Sequence, residues 1–83
     1  MRAEDLLPND LNQHHFNGTA VRKGTVGAFL INARTLTDPC ANDEQRRMAE
    51  HDIIEALPAL RALGLFEILQ LRDESLRAWC EQH

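Results

Sequence analysis

The chain has 83 residues, 43% of them hydrophobic and 27% charged, with a formal net charge of −4. That length allows one domain with a thin core, because a chain this short buries only about 60% of its unfolded surface. The acidic balance opposes the phosphate contacts on which duplex binding relies, which argues against nucleic acid, and no apolar run approaches the roughly 20 residues of a bilayer-spanning helix.

The start, Met1-Arg2-Ala3-Glu4-Asp5, has no apolar h-region, so the expectation is a cytoplasmic protein. Residues 1–12 mix acids with Leu6, Leu7 and Leu11 around Pro8, and read as a loosely packed arm with one helical turn after Asp10. Asn17-Gly18 is the strongest turn signal in the chain, since a type I′ turn needs positive φ at both central positions. Its flanks, His14-His15-Phe16 and Thr19-Ala20-Val21-Arg22, suit short strands, and residues 13–22 are read as a hairpin.

The first helix is read from Thr25, taken as its N-cap, to the stop at Asp38-Pro39. Val26, Phe29, Leu30, Ala33 and Leu36 fall on one stripe and are expected to face the core. Ile31 lies opposite that stripe and marks a candidate subunit contact.

A second helix is expected to begin near Asn42 or Asp43, with Asp43 and Glu44 favouring its first turn. Ala49, Ile53, Ala56, Leu57, Leu60 and Leu63 hold one stripe straight through Pro58. The preserved phase favours one helix bent at Pro58 over two short ones. Gly64 supplies a left-handed C-terminal stop that brings Leu65 against Leu60. The run Leu65-Phe66-Glu67-Ile68-Leu69-Gln70-Leu71 fits strand and helix alike; a third short strand near 66–71 is the expectation. The last helix is read as capped by Asp73, with Glu74 in its first turn and an Asp73–Arg77 pair. The sum is a single α+β domain, residues 1–83: a short N-terminal β-hairpin packed on about three α-helices.

Candidate chemistry is sparse. Arg22-Lys23-Gly24-Thr25-Val26-Gly27 sets two cations and two glycines at a helix start, where free N–H groups can hold phosphate or carboxylate. Arg22, Lys23, Gly24 and Thr25 are therefore the candidate anion-binding residues, although the spacing is neither a P-loop nor a dinucleotide fingerprint. The plainer reading has Gly24 turn the chain out of the hairpin. His14, His15, Cys40, His51, Cys80 and His83 could ligate a metal, but none has zinc-site spacing, so no metal and no cofactor are expected. Cys40 follows Pro39 just before a helix start, where a thiolate is favoured, yet no catalytic frame surrounds it. Asn17-Gly18-Thr19 matches a glycosylation acceptor without a secretory signal to deliver it. The pair of helices 25–37 and 43–57 resembles a helix-turn-helix in outline, but Asp43, Glu44, Glu50, Asp52 and Glu55 outnumber Arg46 and Arg47 in the second.

The runs Asn17-Gly18-Thr19 … Gly24-Thr25-Val26-Gly27-Ala28-Phe29-Leu30 and Leu60-Arg61-Ala62-Leu63-Gly64-Leu65-Phe66 resemble small uncharacterised bacterial proteins of unknown function. The resemblance implies a compact bacterial cytosolic protein and carries no activity or site. By elimination, the expectation is a non-enzymatic interaction or assembly module with a protein partner or a second copy of itself as a homodimer. A small-anion or nucleotide-binding domain using residues 22–27 is the alternative.

Overall fold

The computed structural model describes Arg2 and residues 13–83; the arm read over 1–12 otherwise lies outside the described residues. Strand β1 (Gln13–Phe16) pairs antiparallel with β2 (Thr19–Arg22), in the register His14 to Val21 and Phe16 to Thr19. The turn between them has φ 49° at Asn17 and 82° at Gly18, the left-handed pair that the Asn-Gly sequence supplies at low cost. Four helices follow: α1 (Thr25–Thr37), α2 (Asp43–Leu63), the single turn α3 (Leu65–Ile68), and α4 (Glu74–Glu81). The fold is α+β with an N-terminal hairpin.

Helix α2 is the spine. Its N-terminus is closed by a full capping box: Asn42 accepts from the Gln45 N–H, and Gln45 returns a bond to the Asn42 N–H. It runs as one helix through Pro58, which points to solvent. At Gly64, φ is 85°, and its N–H reaches the carbonyls of Leu60 and Arg61. Ile53, Leu57 and Leu60 on its inner stripe are fully buried. They form one cluster with Phe29 of α1 and Leu76 and Cys80 of α4, edged by Ala33, Leu36, Leu65, Phe66, Leu71 and Trp79. Eight hydrophobic residues are buried among the described residues, and each methylene they remove from water counts for about 0.8 kcal/mol of transfer free energy. Val21 of β2 is also buried, and the hairpin lies against α2.

Four details differ from the expectations above. Thr25 is the first helical residue, not the cap. Gly24, at φ 88°, takes the capping position, and the Thr25 hydroxyl donates back to the Arg22 carbonyl at 2.7 Å. A residue with a Cβ pays strain in that left-handed conformation, so the glycine moves the boundary one place. Val26 and Leu30 are 37% and 52% exposed, because α1 meets α2 along the narrower line of Phe29, Ala33 and Leu36. The run 66–71 is not a third strand: α3 is a helical turn, followed by extended backbone at Leu69. Helical spacing there puts Leu65 and Phe66 together on the core, with Phe66 edge-on to Phe29 at 6.3 Å. Asp73 does cap α4 by accepting from the Leu76 N–H, but Arg77 turns to Glu74 at 3.8 Å and to the Leu71 carbonyl.

Candidate functional site

Three surfaces hold the chemistry that this fold presents. The first is the entry to α1. Arg22 and Lys23 are exposed at the end of the hairpin, Gly24 turns the chain, and Thr25 opens the helix. The fold thus brings all four candidate anion-binding residues to one helix start. The cap has no side-chain acceptor and the first turn has no acidic residue. The Thr25 hydroxyl is committed to the Arg22 carbonyl.

The second surface is the outer face of α1. Among its thirteen residues, Thr25 to Thr37, only Arg34 is charged. Ile31 is 65% exposed, as its place opposite the stripe requires. Val26 and Leu30, read from the sequence as core, join it at the surface with the small residues Gly27 and Ala28. A water-facing helix of this length is ordinarily polar and charged on its outside. The signal for this face was present in the sequence as a helix with almost no charge, which a stripe count alone does not register.

The third surface is a groove of about 280 Å³ where α3 and the extended segment after it meet α2 and α4. Phe66, Leu69, Leu71 and Cys80 line it together with Arg61, Arg77 and Glu81. Arg61 donates to the carbonyls of Cys80 at 3.0 Å and His83 at 3.4 Å, supplying partners to the open C-terminal end of α4. Cys80 is buried; burial pushes its thiol pKa up, with Glu81 adding and the Arg61 charge opposing. Sequence reasoning missed this groove because Arg61 and Arg77 sit on different helices and share no spacing.

The remaining candidates are scattered. Cys40 is exposed, and its N–H closes a turn on Asp38 Oδ1 at 2.9 Å; both cysteines are free thiols. His15 and His83 are exposed. His51 joins Asp52 and Glu55 on one outer turn of α2, with ligating atoms within 4.8 Å of one another. All three are exposed to solvent; the ring nitrogens lie 3.5 and 3.6 Å from the carboxylates of Asp52 and Glu55, and these contacts are ion pairs only with the ring protonated. Neighbours on one exposed helix turn make such contacts routinely, at a few tenths of a kcal/mol.

Among the described residues, no helix is long and apolar enough to cross a membrane. No family model matches the chain, and neither a curated protein nor a solved structure matches it.

Proposed function

We propose that this chain is a small cytoplasmic, non-enzymatic interaction module that works through protein contacts and pairs with a second copy of itself across the outer face of α1. The observation that carries this reading is the exposure of Val26, Leu30 and Ile31 on a helix with a single charge. Covering aliphatic side chains returns about 25 cal/mol per Å² removed from water. Charge adds to the case. The molecule is net acidic, and α2 presents Glu44, Asp52 and Glu55 to solvent. Two copies meeting through α1 bring no acidic side chain of that helix face to face. A two-fold pair is the simplest closed assembly such a surface can make. Light scattering on the full chain across the micromolar range tests it: a dimer mass is expected, falling to the monomer mass for Ile31→Glu. A wild-type monomer at high micromolar concentration would refute it.

A second reading, a small-anion or nucleotide-binding domain, is favoured by the uncapped start of α1 behind Arg22 and Lys23. Phosphate titration followed by NMR discriminates the two. Shifts confined to the amides of Gly24 to Gly27 support anion binding, and flat shifts at millimolar phosphate dispose of it.

A further inference from the structure

We propose that the groove between α3 and α4 binds a small aliphatic carboxylate, its anionic group on Arg61 and Arg77 and its chain on Phe66, Leu69 and Leu71. Its lining combines aliphatic and cationic side chains. Leu69 is 59% exposed, so part of the apolar lining is open to solvent. A volume near 280 Å³ lies at the small end of the range of ligand pockets, about 300–1,000 Å³, and suits a small molecule such as a short acyl chain with its carboxylate.

Arg61 and Arg77 bring positive charge into the same groove. Arg61 bonds to the backbone oxygens of Cys80 at 3.0 Å and of His83, the last residue of the sequence, at 3.4 Å. Arg77 has one carbonyl and one ion partner, Glu74, which sits 3.8 Å away and is 90% exposed, where water screens it. A guanidinium presents five N–H donors in a fixed fork, so both side chains keep donors for a planar anion. The carbonyl bonds hold the forks in place, which lowers the ordering cost of binding. Glu81 also lines the groove; its charge opposes any anion there and opposes a dianion about twice as strongly as a single carboxylate. Cationic and aliphatic residues lining one cavity match a ligand with a charged head and an apolar tail.

The test is an amide NMR titration of the full chain with octanoate, beside octanol and acetate as probes that each lack one half of the chemistry. Octanoate should give saturable shifts at Phe66, Leu69, Leu71 and Cys80, with octanol and acetate weaker by about tenfold or more. Arg77→Gln should weaken octanoate by about tenfold, the scale of one charge-assisted hydrogen bond. Leu69→Ser, at an exposed position where folding is not at stake, should weaken it about threefold and leave acetate unchanged. Three results would overturn the proposal: no saturable shift at millimolar octanoate, equal shifts with octanol, or shifts that map to Val26, Leu30 and Ile31 instead of the groove.

Discussion

Asn17 Nδ2 donates to the backbone carbonyl of Ala62 at 2.7 Å, tying the tip of the hairpin to the last turn of α2 across 45 residues of sequence. A two-stranded hairpin is marginal by itself in water, and this bond joins the burial of Val21 in fixing it to the helices. The same asparagine also occupies the left-handed conformation that the turn requires. One residue therefore sets both the shape of the hairpin and its seat.

The two roles separate by substitution. Asn17→Gly keeps the backbone conformation and loses the bond, and should cost about 1 kcal/mol. Asn17→Ala loses the bond and adds left-handed strain, for about 2 kcal/mol in all. Urea denaturation of both variants measures the difference; equal losses would show that alanine meets no extra left-handed strain here and that only the bond matters.

Pro58 interrupts α2 at a solvent-facing position, where the Ile54 carbonyl loses the N–H it would otherwise receive. Proline costs about 3 kcal/mol relative to alanine inside a helix, part of which a proline bend recovers. Pro58→Ala should therefore stabilise the protein by about 1–2 kcal/mol, raising Tm by roughly 4–16 °C for a domain of this size. A fall in Tm would mean that the core depends on the shape proline imposes.

Much of this frame is legible in the residues because its signals are local. Asn17-Gly18 specifies a turn through positive φ, while Asn42 and Asp73 specify caps and Gly64 a stop through bonds to backbone a few residues away. The stripe of α2 is legible through Pro58 because Ile53, Leu57 and Leu60 keep their phase on either side of it. Legibility fails where the outcome depends on partners distant in sequence. Val26 and Leu30 have the spacing of core residues, but how wide a stripe α2 covers is a property of the packed pair. Residues 65–71 suit helix or strand equally, and the choice falls to Phe29, which receives Phe66. The groove between Arg61 and Arg77 has no sequence signature, since three separate segments build it.

The two thiols should behave differently. Cys40 is exposed and should react with a thiol reagent at once, whereas Cys80 is buried and should react only as the protein opens. Burial raises the Cys80 pKa above its ordinary 9.0, so in the unfolded chain the thiol gives up its proton first as pH rises. Its contribution to stability is complete below the ordinary value and is lost as pH climbs through the folded one. Denaturation midpoints at pH 7 and pH 10 should fall more for wild type than for Cys80→Val. Equal falls would place the alkaline loss elsewhere.

The central claim is that the outer face of α1 is a contact surface for a second copy of the chain. Dilution from high to low micromolar concentration, followed by amide chemical shifts, tests it at the level of residues. The account predicts that the amides of Val26, Leu30 and Ile31 move with dilution while those of the groove and hairpin stay fixed. Shifts unchanged at the α1 face, with a monomer mass throughout, would contradict it.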